Sequence, residues 1–513
     1  MNAKKSFDYI VVGAGASGCV VANRLSEKAG TKVLLLEAGG PDTRPEIHDP
    51  KGVLALWGSE VDWSYFSEEE KYLDGRKIMC NRGKVLGGSS AIHAMIYIRG
   101  HRVSYDHWNY LGNEGWSYDE ILPYFKKSED YEGGASEYHG VGGPLSVTNY
   151  STPTEVAQAF VKAGVELGYR GGSDWDFNVA EDHESTGFYQ FNITKDGKRS
   201  SAASAFLTPF MDRPNLTVET GAHTTRLLLE GNRAVGVEYI KDGKSVQVKA
   251  SGEVIVSAGA FDTPKLLMLS GIGPANQLQK NGIAVAADLA GVGENLRDHL
   301  LMPVIFHCKK ELPVPPVLAE AGLLIRTRSG LENAAPDLQI NFNASNPHIL
   351  PPDLPGSGPS FTFITILVQP QSIGNVGLRS ADPADPPVIR NNYLQCEADM
   401  RVQLKAIEKC REIVQTSAFK DLFKDEGLPG AKKSEEELRS YVKSHCGTIW
   451  HPVGTCRMGY DRMAVVDPQL RVHGINGLRV VDASIMPTIV SANPCAACFA
   501  IGEKASDMIV NGT

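Results

Sequence analysis

A glycine cluster set between two apolar runs near the start constrains this chain more than any other feature. Asp8-Tyr9-Ile10-Val11-Val12 leads into Gly13-Ala14-Gly15-Ala16-Ser17-Gly18, and a second run, Leu34-Leu35-Leu36, closes on Glu37-Ala38. The spacing predicts a βαβ unit that binds a dinucleotide. The apolar run reads as a buried parallel strand, Gly13 permits the tight turn, Gly15 lets the backbone approach a pyrophosphate, and Gly18 lets the helix lie close to the strand. The phosphates then sit on the helix N-terminus, at Ala14, Ala16 and Ser17. Glu37, nineteen residues past Gly18, can accept hydrogen bonds from both ribose hydroxyls and would repel a 2′-phosphate, which favours FAD or NAD over NADP.

At 513 residues the chain exceeds what one hydrophobic core usually serves, so two domains are expected. A net charge of -9 argues against a nucleic-acid or anionic-membrane partner. No stretch is long and apolar enough to span a bilayer. Only seven mostly polar residues precede the first strand, leaving no room for a signal-peptide apolar region, and a cytoplasmic location is the expectation. The nine cysteines, an odd number scattered from Cys19 to Cys498, read as reduced thiols rather than a disulfide framework. Cys495 and Cys498 form a CxxC, but no second pair offers metal-ligand spacing and no thioredoxin-like context surrounds them; neither a metal site nor a redox pair is expected.

Further along, Arg82-Gly83-Lys84-Val85-Leu86-Gly87-Gly88-Ser89-Ser90-Ala91-Ile92-His93-Ala94-Met95-Ile96-Tyr97 is dominated at its centre by small residues. These can present backbone N–H groups to an anion or a flat ring, or form only a tight loop before a core helix. Both readings stand on composition alone. Leu216 to Thr220 reads as a strand, and Thr225 to Glu230 and Ala234 to Glu238 as a hairpin across Gly231-Asn232. A buried strand, Val254 to Ser257, precedes a helix with Pro264 near its start and Gly271 past its end. Proline-rich loops at Leu312 to Leu318 and Asn346 to Pro359 are long enough that one could cover a substrate entrance, with a mobile surface loop as the alternative. Glu435 to Lys443 reads as a helix with a solvated charged face. Near the end come Trp450-His451-Pro452, the run Leu478 to Ser484, Asn493-Pro494 and a helical tail from Ala500 to Ile509. This nucleotide-domain-like tail suggests that the chain returns to its first domain.

Taken in order, these blocks resemble the glucose-methanol-choline (GMC) family of flavoprotein oxidoreductases. The resemblance rests on the N-terminal fingerprint, on Arg82 to Tyr97, on Gly259 to Gly273, and on the paired blocks around His451 and Asn493, and it covers nearly the whole chain. It implies an α/β fold in which an FAD-binding Rossmann-like domain (1–150, 215–300 and 455–513) is interleaved with a substrate domain built on an antiparallel sheet (151–214 and 301–454). It also implies oxidation of a small alcohol to an aldehyde or ketone by hydride transfer to flavin N5, with oxygen or a quinone-type acceptor reoxidising the flavin. His451 matches the family's catalytic histidine, and Asn493 matches the second active-site position, which is His or Asn in different members.

The cofactor positions carry over in the same way. They are Arg82, Val85, Gly88, Ser89, His93, Ala94, Met95, Ile96 and Trp450, with Asp482 and Ala483 beside the pyrophosphate, Asn493 and Pro494 beside the isoalloxazine, and Thr224 where many members place a valine against adenine. His93 stands where asparagine is usual. The tethering histidine of some relatives aligns at Ile92 instead, so the FAD is expected to be noncovalent. The same fold also hosts hydroxynitrile lyases and a light-driven fatty acid decarboxylase; Asn493 weighs against the lyase, whose resembling members carry histidine at both positions.

The physical chemistry agrees with the first reading. An alcohol expels hydride more readily as its hydroxyl gains alkoxide character. A histidine with an ordinary pKa near ~6.5 can take the proton near neutral pH, and the Asn493 amide can donate to the developing alkoxide.

Overall fold

The two opening apolar runs become the strands Ser6–Val12 and Val33–Leu36, paired in parallel with the helix Ala16–Ser26 between them. The computed structural model describes residues 6–179, 184–331, 333–344 and 359–512. Leu216–Glu219 adds outside Val33–Leu36, and on the other side Ser6–Val12 pairs with a long strand, Lys244–Val256. That strand serves two neighbourhoods. Its second half is parallel to Ser6–Val12, while its first half carries an antiparallel meander of Arg233–Lys241 and His223–Glu230. The hairpin expected across Gly231 is the outer part of this meander, and the strand expected at Val254 to Ser257 is only the buried end of a longer one.

The helix after it begins at Gly259 rather than near Thr263, which puts Pro264 inside Gly259–Leu269. Proline has no N–H for the carbonyl four residues back. The Thr455 hydroxyl donates to that carbonyl, Ala260 O, at 2.6 Å. A partner 195 residues away lies beyond any local capping rule.

The chain then builds a second sheet and returns. Leu478–Val480 pairs in parallel with Val254–Val256, and the helix Cys495–Asn511 packs on Ala16–Ser26. Ser17 Oγ donates to Cys498 O at 2.7 Å, Arg24 forms a 2.7 Å ion pair with the buried Glu503, and Gly502 lies so close that a Cβ there would be 2.9 Å from Ser17 O.

The second sheet runs Phe423–Leu428, Leu300–Cys308, Ser360–Leu367, Leu338–Ala344, Ala321–Ile325, Ser185–Phe188 and Arg170–Gly171, antiparallel except for the last pair. One face packs Phe306, Phe342, Phe361 and Phe363 against the helices Glu155–Glu166 and Glu397–Val414. The other face looks toward the dinucleotide half, so the fold is α/β with interleaved halves. Ala202–Phe206 packs on Ala16–Ser26 in the first core, whereas Leu73 and Ile78 belong to the second.

Glu435–His445 is a helix capped by Ser434 and Glu437, and only Tyr441 and Val442 are buried. The tail helix begins at Cys495, five residues before the expected Ala500. The Asn346 to Pro359 loop lies outside the described residues apart from Pro359. Leu312 to Leu318 runs from the surface, where Val314 is 73% exposed, to a buried end at Val317, with Leu318 on the wall of the cavity between the halves. No described helix is long and apolar enough to cross a membrane.

Candidate active site

Between the halves lies a cavity that draws on both. Of the residues singled out in the sequence, it is lined by Gly13, Gly15, Ala16, Ser17, Glu37, Ala38, Arg82, Gly88, Ser89, His93, Ala94, Met95, Ile96, Thr224, Trp450, His451, Asp482, Ala483, Asn493 and Pro494. Ala14, Gly18 and Val85 do not line it. A Cβ on Gly18 would stand 1.9 Å from Gly13 O, so this glycine lets the helix approach the strand. Ala14 donates its N–H to Glu37 Oε2 at 2.9 Å, and Val85 packs with Ile47, Leu56 and Ala91.

The dinucleotide end is shaped by close backbone approach. Gly13 has φ +97°, and a Cβ there would meet Ser257 O at 2.5 Å; a Cβ on Gly88 would lie 2.7 Å from Gly15 Cα. A Cβ on Gly15, by contrast, would project into open space on the cavity wall. Glu37 accepts from Ala14 N and, at 2.8 Å, from Gly39 N. Burial pushes its carboxyl up to about 7. The Asp482 carboxylate, also on the lining, accepts from Gly259 N at 2.9 Å, Thr263 Oγ1 at 2.6 Å and Ser484 N at 2.8 Å.

At the other end His451 and Asn493 meet, Asn493 Nδ2 standing 3.3 Å from His451 Nε2. His451 follows the short strand Gly447–Thr448, which pairs with Leu300–Leu301 at the edge of the antiparallel sheet. Asp298 shapes this turn. It accepts from His451 N at 2.8 Å and from the hydroxyls of Tyr393 and Thr448. Trp450, at φ +63°, gives its carbonyl to Arg82 Nη2 at 2.6 Å and packs on Trp57 with ring centroids 4.3 Å apart.

Behind His451, His299 Nδ1 lies 3.0 Å from His451 Nδ1. Burial first, then His299 and Arg82, hold His451 well below the ordinary imidazole range, and burial takes His299 down to about 3. Both rings are therefore neutral near pH 7. With Asn493 donating to Nε2, the His451 proton sits on Nδ1 and points at His299.

His93 has a forced tautomer. Its Nδ1 accepts from Met95 N and from Arg199 Nη1, each at 3.0 Å. The remaining proton is on Nε2, which has no partner among the described residues. Arg199 is fully buried among the carbonyls of Ile47, Ser90 and His93, and burial lowers it to about 9.

Arg199 and His299 were missed in the sequence, as were Asp298 and the cavity-lining Asn341 and Asn343. An Asp-His pair is a visible signal at 298–299, but nothing local ties it to His451, 152 residues on. Cys495 and Cys498 line the cavity at the start of the last helix, and burial pushes Cys495 up to about 12, so it is a thiol. All nine cysteines are unpaired.

The lining suits a flavin dinucleotide. Four of its buried polar atoms, His93 Nε2, Thr224 Oγ1, Ser257 Oγ and Asn493 Oδ1, have no partner among the described residues, and such groups ordinarily find one. Family models described as GMC oxidoreductase match residues 7–301 and 370–502. The chain belongs to the GMC oxidoreductase family. This GMC protein is 41% identical to the alcohol dehydrogenase [acceptor] of Pseudomonas putida over 98% of its own length and 96% of that protein. It is 39% identical to an oxygen-dependent choline dehydrogenase of Escherichia coli, over 98% and 95%. Pyridoxine 4-oxidase from Mesorbium loti has the same architecture, with a TM-score of 0.91 and 35% identity over 98% of this chain and 99% of that one. The GMC chain is accordingly an FAD-dependent alcohol oxidoreductase.

Proposed function

We propose that this enzyme oxidises the carbinol carbon of a small alcohol, with His451 as the base and Asn493 as the donor to the reacting oxygen. Bound FAD supplies the hydride acceptor, N5 of its ring. The observation that carries the reading is the one-way hydrogen-bond chain from Asn493 through His451 to His299. It leaves the His451 Nε2 lone pair facing the cavity, where a substrate hydroxyl can replace the long 3.3 Å contact from Asn493. Neutral His451 can accept a proton at physiological pH, and His299 Nδ1 accepts from the imidazolium Nδ1–H so formed. Asn493 Nδ2 then turns to the developing alkoxide, a role in which a fixed neutral donor lowers the barrier.

The cofactor is held, in this reading, by Gly13 to Ser17 at the pyrophosphate, Glu37 and Ala38 at the ribose, Thr224 near the adenine, and Arg82 to Ile96 with Trp450, Asp482, Ala483 and Pro494 along the flavin. It is noncovalent. A tether through His93 would need a free imidazole lone pair, yet Nδ1 is taken up by Met95 and Arg199, and Nε2 carries the proton.

Anaerobic mixing of the holoenzyme with alcohols in the dark tests the reading. Flavin bleaching is expected, slower by on the order of 10² or more in His451→Ala with FAD still bound. Reduction of the His451→Ala flavin at the wild-type rate would place the base elsewhere.

A further inference from the structure

Three arginines are buried among the described residues: Arg99, Arg199 and Arg479. A buried guanidinium keeps its charge and ordinarily has a carboxylate beside it. Arg99 meets Glu129 at 2.8 Å, and Arg479 meets Glu253 at 2.7 Å. Arg199 meets no carboxylate among the described residues. Its Nε donates to Ile47 O at 2.6 Å, and its Nη1 to Ser90 O at 3.3 Å, His93 O at 2.6 Å and His93 Nδ1 at 3.0 Å. Its Nη2 has no partner among the described residues. The only acid among them that acts on it, Cys495, is a neutral thiol near pH 7. Arg82, on the cavity wall itself, is matched by Asp298 and Asp62.

The unmatched charge has an outlet toward the cavity. Arg199 stands behind the lining and His93 on it. With Nδ1 held by Arg199 and Met95 N, the His93 ring turns its buried, unpartnered Nε2–H away from the guanidinium. A donor whose ring is hydrogen-bonded to a cation is polarised, and water screens the field behind it weakly at such depth. His93 also stands at the reacting end, near enough to bear electrostatically on His451, as Arg82 does. His451 and His299 are neutral near pH 7 and add no charge at rest. This end of the cavity is therefore left with the Arg199 charge in excess.

Resting on the placement of the flavin along Arg82 to Ile96, we propose that Arg199 acts through His93 as the counter-charge of the reduced flavin, holding it more tightly than the oxidised form and so raising its midpoint potential. A hydride brings two electrons and one proton, so the ring that accepts it gains one negative charge. The dimethylbenzene end of an isoalloxazine has no hydrogen-bond acceptor. The His93 N–H therefore fits only the polar end of the ring, which is where the added charge comes to rest. Arg199 is a positioning residue, since it acts through His93.

Midpoint potentials of the bound FAD, set by dithionite with redox dyes, test this without any alcohol. Arg199→Gln should bind reduced flavin at least tenfold less well relative to oxidised flavin, a fall of about 30 mV for a two-electron couple. It should also bind sulfite, whose flavin adduct is an anion, at least tenfold less tightly. Arg199→Lys, which keeps the charge, should recover most of both losses. A packing defect would loosen the two flavin forms alike and leave the midpoint in place. His93→Leu, with Arg199 intact, should give the same fall, and His93→Gln, which keeps an N–H donor, should lie above it; this pair decides the question if Arg199→Gln does not fold. An unmoved midpoint in either Arg199→Gln or His93→Leu, or a lysine variant no better than glutamine, would overturn the proposal. If the visible flavin spectrum is also unmoved in both His93 variants, the placement of the flavin falls with it, whereas a shifted spectrum with an unmoved midpoint spares the placement. Failure of every alcohol to bleach the flavin would fall on the oxidation reading alone, and the midpoints would still decide the role of Arg199.

Discussion

His299 and His451 face one another Nδ1 to Nδ1 at 3.0 Å, so a single proton lies between them. The His451 that can take a proton at Nε2 is the one whose own proton points at His299. His299 is thus a positioning residue. His299→Leu should slow flavin reduction by about 10- to 100-fold, the cost of leaving a buried donor unpaired. His299→Asn, whose amide oxygen can stand near the lost Nδ1, should recover part of it. A leucine variant as fast as wild type, or an asparagine variant no better than leucine, would show that the contact does not set the tautomer.

The same pair fixes a pH dependence of stability. His299 is held to about 3 in the folded chain, against about 6.5 unfolded. Its neutral burial therefore contributes stability that is fully present above pH 6.5 and is lost progressively as pH falls toward 3. At pH 5 the loss is about 2 kcal/mol. Thermal unfolding at pH 7.5 and pH 5 should show a larger acid loss for wild type than for His299→Asn. Parallel losses in the two proteins would rule out His299 as the source.

Asn493 should tolerate histidine better than aspartate. Aspartate would set a negative charge beside the developing alkoxide, while a histidine N–H can still donate. Flavin reduction at saturating alcohol should rank Asn, then His, then Asp. An aspartate variant matching wild type would remove Asn493 from the reacting oxygen.

Gly15 and Gly18 should fail in different ways. Gly15→Ala adds a methyl to open space on the cavity wall, so the chain should fold with little change in Tm yet retain FAD poorly. Gly18→Ala drives a methyl against Gly13 O and should lower the Tm of the apoprotein or prevent folding. Similar stability for the two variants would erase the distinction between cofactor approach and helix packing.

Denaturation by acid or heat should release FAD from the holoenzyme, because Arg199 and Met95 occupy the His93 Nδ1 lone pair. Flavin that stays with the precipitated chain would overturn the noncovalent assignment.

What was legible in the sequence is what local rules govern. Gly13 to Glu37 could be read because turn, helix start and acidic residue fall within one βαβ unit, and the hairpin at Gly231 because alternation and turn chemistry are short-range. The start of the helix before Pro264 could not be read, since its spare carbonyl is met by distant Thr455. The cavity-lining amides were hidden for another reason. Gln339, Asn341 and Asn343 alternate with Leu338, Ile340 and Phe342 as in any surface strand, and only the packing of the two halves turns that polar face inward. His451 and Asn493 were found through family resemblance; His299 and Arg199, which hold the rings in place, touch the site only in three dimensions.

The return of the chain to its first sheet has a consequence during synthesis. The partner of the first helix, met at the Ser17–Cys498 contact, lies 481 residues downstream. At about 5–20 residues per second, the N-terminal strand–helix unit waits roughly half a minute or longer on the ribosome with the face that Cys495–Asn511 will cover still bare. Asn493 arrives in the same late stretch. The nascent protein therefore passes most of its translation with its nucleotide half incomplete.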